Sequence, residues 1–178
     1  KDLLQGMAPE WADRLKLYKG SNIFEYYEIE AEAVSAGNRQ VPLASGGFLV
    51  IDKTEAMTVI DVNTGSFVGN ISLGETAFAL NKEAAVEIMH QLRLRDIGGI
   101  VLVDFIDMEK EEHNKALLQL LRQLAQQDRT KTHVVDITAL GLVEITRKKT
   151  RHNIDNLLYR DCPVCQGSGR VLSAEALA

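Results

Sequence analysis

Gly98-Gly99-Ile100-Val101-Leu102-Val103-Asp104-Phe105-Ile106-Asp107 decides the fold. A glycine pair opens a continuous, mostly β-branched apolar run, the pattern of a strand buried on both faces at the centre of a sheet. Helical periodicity flanks it on both sides. Upstream, residues 81–95 place Ala84, Ala85, Ile88, Met89 and Leu92 on one face, with Asn81 as a plausible N-cap. Downstream, residues 109–127 do the same with Ala116, Leu117, Leu120, Leu121 and Leu124. Further out, Phe48–Asp52 and Glu55–Asn63 read as an antiparallel strand pair joined near Lys53-Thr54, and His133–Ile137 and Leu142–Ile145 as short strands. The resulting order, β-β-α-β-α-β-β, predicts an α/β class: a mixed sheet with flanking helices. Two further helices are expected before it, from Pro9 to Tyr18 and, capped by Asn22, from Ile23 to Ser35.

Composition narrows the class of function. The 178 residues are 46% hydrophobic and 25% charged with a net charge of −5, a globular balance without low-complexity tracts. No apolar run approaches the roughly 20 residues that span a bilayer, so no membrane-spanning segment is expected. The first twenty residues contain Asp2, Glu10 and Asp13 where a signal peptide would be apolar, and they begin without methionine; the sequence reads as a piece of a longer chain. The net charge does not advertise a polyanion partner, but residues 147–160 carry Arg147, Lys148, Lys149, Arg151 and Arg160 against Asp155 alone. That basic patch is a candidate nucleic-acid contact or a solvated surface segment.

Strand alternation puts Asp61 and Asn63 on one face at the end of their strand, with Thr64-Gly65 turning just beyond. Asp104 closes the central run, and Asp107 follows three residues later. A buried carboxylate must be paired, protonated or bound to a metal, and two strand-end carboxylates facing one crevice suit the oxygen-seeking Mg²⁺ ion. Such a site serves metal-assisted phosphodiester hydrolysis, with Asn63 orienting a phosphate or water. Equally compatible with spacing alone are turn capping, or pairing of these aspartates with Arg93, Arg95 or another basic residue.

Only two cysteines occur, Cys162 and Cys165, in Asp161-Cys162-Pro163-Val164-Cys165-Gln166-Gly167-Ser168-Gly169. One Cys-x-x-Cys is no secreted disulfide framework, which favours a reducing compartment and a cytoplasmic location. The knuckle-like form supplies half of a structural zinc site, and the histidines, His90, His113, His133 and His152, are scattered. A second copy of the chain would complete a Cys₄ site across a two-fold axis. A redox dithiol is the alternative, and an unliganded reduced pair is the remaining one.

Beyond these separate readings, several motifs occur in linked order: Ser45-Gly46-Gly47, Val50-Ile51-Asp52-Lys53-Thr54-Glu55-Ala56, Ile60-Asp61-Val62-Asn63-Thr64-Gly65, Glu75-Thr76-Ala77-Phe78, residues 91–99, Asp104-Phe105-Ile106-Asp107-Met108 and the cysteine tail. Together they closely resemble the catalytic core of the ribonuclease E/G family, over residues 41–169. The resemblance implies a Mg²⁺-dependent, single-strand-specific endoribonuclease of RNA processing and decay that leaves 5′-phosphate and 3′-hydroxyl ends. It matches the family's two Mg²⁺-binding aspartates to Asp61 and Asp104, a supporting position to Asn63, and intersubunit zinc ligands to Cys162 and Cys165. Homodimers or homotetramers joined through shared Zn²⁺ follow from it.

The same resemblance divides the chain. Residues 1–38 look like the tail of a ribonuclease-H-like subdomain, 39–158 like a deoxyribonuclease-I-like catalytic subdomain, 159–170 like the zinc link and 171–178 like the start of a small dimerising domain. The family's OB-fold RNA-binding domain has no counterpart here, so weak, salt-sensitive RNA affinity is expected from Lys131, which lies where the family borders its 5′-phosphate pocket, and from Arg147, Lys148, Lys149 and Arg151. The competing reading is a zinc-linked oligomerisation or RNA-binding scaffold without activity in isolation.

Overall fold

The structure, a computed structural model, describes residues 2–66, 73–150, 158–171, 173 and 176. Two compact units divide it, Lys1–Ser35 and Ala36–Ala178.

The first unit is helical and more broken than periodicity predicts. Helices α1 (Asp2–Met7) and α2 (Pro9–Ala12) lead to α3 (Ile23–Tyr26) and α4 (Ile29–Ser35). The helix expected to reach Tyr18 stops at Ala12, and its intended apolar stripe, Trp11 and Leu15, stays 53% exposed at both positions. Short helices persist only where a face is packed, and this one is not. Asn22 caps α3 as expected, its side chain accepting from the Phe24 and Glu25 N–H groups at 3.0 and 3.3 Å. The single helix predicted from Ile23 to Ser35 is split by Glu28, whose φ of 57° is incompatible with a continuing right-handed helix.

The second unit is the mixed sheet with flanking helices that the pattern predicts. It comprises β1 (Gln40–Pro42), β2 (Phe48–Lys53), β3 (Met57–Asn63), α5 (Leu73–Leu94), β4 (Gly99–Asp104), α6 (Glu111–Gln126), β5 (Thr132–Ile137) and β6 (Leu142–Arg147). The sheet order is β1-β2-β3-β4-β6-β5. Strand β1 is an addition to the expected set, three residues long and hydrogen-bonded to β2. Strands β3 and β4 run parallel, joined by α5; each of the other neighbouring pairs is antiparallel. Helix α5 begins eight residues before the predicted start, so Asn81 lies inside it rather than at its cap.

Strand β4 is central, but it is buried on one face only. Val101 and Val103 are fully buried, whereas Ile100 is 48% exposed and Leu102 is partly covered. The reason is layering. Ala84, Ala85, Ile88, Met89 and Leu92 of α5 and Leu117, Leu118 and Leu121 of α6 join the core with Leu49, Ile51, Ile60, Val62, Val143 and Ile145 on the same side of the sheet. Each fully buried aliphatic side chain there contributes about 1.5–3 kcal/mol. The opposite face carries Val50, Val59 and Leu102, half-buried, and it ends in Asp61, Asn63 and Asp104. Ala116 of α6, expected in the core, is exposed.

Candidate functional site

The parallel pair sets the site. In register, Met57 faces Ile100, Val59 faces Leu102 and Asp61 faces Asp104. Both aspartates therefore project from the half-open face, one strand spacing apart, about 4.8 Å between strands. Both are exposed, so neither needs a partner to offset burial, and neither forms an ion pair with Arg93, Arg95 or another base among the described residues. Like charges directly opposite in a sheet are destabilising by up to about 1 kcal/mol. A sequence that retains such a pair at the carboxyl ends of its parallel strands has placed it where open α/β sheets bind ligands.

Asn63 is tied to this pair. Its Nδ2 donates to Asp61 Oδ2 at 2.9 Å, which holds one carboxylate oxygen and leaves the other available. The end of β3 is fixed by close backbone packing. A Cβ on Gly47 would lie 2.8 Å from the Asn63 carbonyl oxygen, and one on Gly65, whose φ is 56°, would collide with the Gly46 carbonyl oxygen. The Ser45-Gly46-Gly47 and Asn63-Thr64-Gly65 segments can interlock this closely only because glycine occupies both contact points.

The end of β4 is held by a residue that sequence reasoning assigned elsewhere. Asn81 of α5 is fully buried; its Nδ2 donates to the Ile106 carbonyl at 2.8 Å, and its Oδ1 accepts from the Ile106 N–H at 3.1 Å. A side-chain amide thus stands in for a neighbouring strand two residues beyond Asp104. The available signal was a polar residue on the same helical face as Ala84, Ala85 and Ile88. Nearby, Lys110 Nζ bonds Glu75 Oε1 at 2.6 Å and the His113 ring stacks on Phe78 with centroids 4.1 Å apart, joining the first turns of α5 and α6.

The basic residues lie at the other end. Because β6 runs antiparallel to β4, Leu142 pairs with Asp104 and Arg147 with Gly99, five residues or about 17 Å away along the strand. Arg147 itself is 5% exposed and committed: Nε donates to Asp128 Oδ2 and Nη1 to Asp96 Oδ1, both at 2.9 Å, and Nη1 also reaches the Ile97 carbonyl. Its guanidinium is a structural group rather than the surface cation expected from the run of charges. Lys131, Lys148 and Lys149 are exposed; the Lys148 N–H donates to the Lys131 carbonyl, and Lys149 crosses Gly98 and Gly99. These three lysines gather at one end of the sheet, remote from the aspartates. Arg151 lies outside the described residues.

The cysteine tail forms a tight turn. The Gln166 N–H donates to the Cys162 carbonyl at 2.7 Å, the Ser168 N–H donates to the Cys165 carbonyl at 2.9 Å, and Gln166 and Gly167 adopt positive φ. The Cys162 thiol is pulled below its ordinary range, chiefly by the Cys165 N–H, then by the Val164 N–H and the Cys165 thiol. Stabilising the thiolate is what a soft-metal ligand requires. Among the described residues, however, no third His, Cys, Asp or Glu joins either this pair or the aspartate pair to make a larger ligand cluster.

A sequence profile of the Ribonuclease E/G family matches residues 1–150. The chain belongs to the ribonuclease E/G family. It is 47% identical over 178 residues to Ribonuclease G of Haemophilus influenzae, covering 99% of this chain and 36% of that protein. It is 48% identical over 170 residues to Ribonuclease G of Escherichia coli K12, covering 95% and 35%, and 41% identical over 171 residues to Ribonuclease E of the same strain, covering 96% and 16%. This ribonuclease E/G family chain thus spans about a third of the length of those Ribonuclease G relatives. Among the described residues no helix is long and apolar enough to cross a membrane.

Proposed function

We propose that this chain carries the phosphodiester-cleaving centre of a cytoplasmic Mg²⁺-dependent endoribonuclease acting on single-stranded RNA in RNA processing and decay. The observation that carries the reading is the register match of Asp61 with Asp104 on adjacent parallel strands, both exposed, with Asn63 bonded to Asp61. Asp61 and Asp104 would hold Mg²⁺, whose chemistry when bound is to polarise a phosphate oxygen, activate water and offset the charge that builds up during in-line displacement. The carboxylates fit a hard ion because both are oxygen donors and neither forms an ion pair among the described residues. Asn63 fixes the orientation of Asp61 and retains its own carbonyl oxygen to position a water or a ribose hydroxyl. The products would be a 5′-phosphate and a 3′-hydroxyl. Lys131, Lys148 and Lys149, about 17 Å from the carboxylates along β4, would contact phosphates several nucleotides from the cut rather than the one being cleaved.

The test is Mg²⁺-dependent cleavage of a short, unstructured, 5′-monophosphorylated A/U-rich RNA at low salt, with Asp61→Asn beside the parent chain. Cleavage should fall at least about a thousandfold, some 4 kcal/mol in barrier, while the melting temperature without metal stays level or rises as the like-charge pair is relieved. An Asp61→Asn chain that cuts as fast as the parent sinks the assignment.

A second reading is favoured by the Cys162 turn: the tail is a zinc link that joins copies of the chain into dimers or tetramers, as a structural scaffold for the cleaving centre. Two thiols make half a tetrahedral site, and the N–H groups aimed at Cys162 preorganise a thiolate. Chelation, or Cys162→Ser with Cys165→Ser, should lower the solution mass to that of the single chain; an unchanged mass removes the link.

A further inference from the structure

At the same carboxyl end of β4 as the aspartates, but on the helix-covered side of the sheet and under the segment that follows β4, the structure contains a cavity of about 150 Å³ that the cleavage reading does not use. Part of its wall is apolar: Met108 from the segment after β4, Leu117 from α6, Ile137 from β5 and Val143 from β6. Two polar side chains line it as well, Asp107 and Asn114, and neither makes a side-chain hydrogen bond among the described residues. One wall is preformed, because Asn81 grips the main chain of Ile106 through two hydrogen bonds and so fixes the strip from Asp104 to Asp107. A prebuilt pocket that combines apolar side chains with a few unpaired polar groups is the usual form of a small-ligand site.

From this we infer that the cavity is a subsite for one nucleobase of an RNA strand bound at the carboxyl end of the sheet, selecting a base that presents hydrogen-bond donors over uracil. The inference deepens the cleavage reading and rests on it for the identity of the strand. Charge settles which part of a nucleotide enters. The Asp107 carboxylate opposes a phosphate, so the phosphate stays outside and the neutral, planar, largely apolar base goes in. Chemistry then ranks the bases. A carboxylate only accepts, so it suits the exocyclic amino groups of adenine, cytosine or guanine. Asn114 both donates and accepts, and an amide of that kind pairs in two-point fashion with an adenine edge. Uracil offers carbonyl oxygens and a single N–H, and it would set an acceptor against Asp107.

The experiment is an NMR titration of the isotope-labelled chain with adenosine, cytidine, guanosine and uridine 5′-monophosphates, each in turn. The expected result is movement of the Leu117, Ile137 and Val143 methyl signals and of the Asn114 side-chain amide. A donor-bearing base should bind at least about fivefold tighter than uridine, the discrimination that a two-point base contact supplies. Asn114→Leu should erase the ranking, and Asp107→Asn, whose amide can donate to a uracil carbonyl, should narrow the gap to uridine. Both positions lie at the surface or half-buried, so the fold survives the changes. Uridine binding as tightly as the others, methyl signals that do not move, or a ranking that persists in both variants would each overturn the inference. The readout needs neither Mg²⁺ nor cleavage. Failure of the Asp61→Asn test removes the cleavage reading while leaving the methyl shifts to be judged, and absent shifts remove the subsite while leaving the cleavage reading intact.

Discussion

The two ends of the central strand β4 present the same chemistry in opposite conditions. At its start, Arg147 of the paired strand is buried against Asp96 and Asp128, its Nε and Nη1 donating to both carboxylates and to the Ile97 carbonyl at about 3 Å, and the Asp128 side chain is only 2% exposed. At its finish, Asp61 and Asp104 stand side by side on adjacent strands, exposed, with a neutral amide from Asn63 as the pair's hydrogen-bond partner among the described residues. One end is a closed account of charge, in which folding supplies the counterions from within. The other is open, with no ion pair to either aspartate among the described residues. Ionic groups that satisfy one another hold the fold; ionic groups left unsatisfied in a fixed register are the ones available for chemistry.

The contrast is most severely tested by breaking the closed end. Arg147→Leu leaves the Asp128 carboxylate buried without its cation, which should cost about 3–5 kcal/mol in urea unfolding; pairing it with Asp128→Leu should recover much of that loss, since an apolar pair needs no counterion. A loss well below 1 kcal/mol for the single change would show that this network is as open to solvent as the aspartate end.

Next in size is the strut that holds the open end in place. Asn81→Leu leaves the Ile106 N–H and carbonyl without partners in a buried setting, a cost of about 1–3 kcal/mol. Hydrogen exchange at the Ile106 amide should accelerate beyond what the global loss of stability explains. An amide that exchanges no faster relative to the core than in the parent would show that the segment after Asp104 holds itself.

The gentlest probe is pH. Burial alone would raise the Asp128 carboxyl, but hydrogen bonds from Arg147, the Thr130 N–H and Thr132 outweigh it and hold the group below the ordinary carboxylate range. A lowered folded-state value contributes stability that is complete above the unfolded value, near 3.9, and is lost as pH falls through the folded one. The parent chain should therefore lose stability progressively below about pH 4, and Asp128→Asn should flatten that part of the urea-midpoint profile. An unchanged slope would remove Asp128 from the acid response.

How much of this was legible beforehand depends on whether the signal was local. The run Ile100–Val103, the alternation through Asp61 and Asn63, and the stripes of α5 and α6 are periodic over short spans, and the strands and helices they predict are present. Asn22 as a cap is equally local. The expectations that failed depended on packing. The helix toward Tyr18 lacks a covered face, β4 is covered on one side because both helices share that side, and Asn81 looks like a cap from local spacing because its hydrogen-bond partner lies 25 residues away. Arg147 looked like a member of a basic run for the same reason: its aspartates come from residues 19 and 51 positions earlier.

For this chain, then, sequence alone determined the element types, the placement of Asp61, Asn63 and Asp104 at strand ends, and membership of a family through linked motifs, because each is written in neighbouring residues. Only the tertiary structure decided that Asp61 and Asp104 share a register and a face, that the lysines lie at the far end, and that Arg147 is internal. Parallel pairing through a crossover helix joins residues 43 positions apart, and no local spacing encodes which rung of the ladder they occupy.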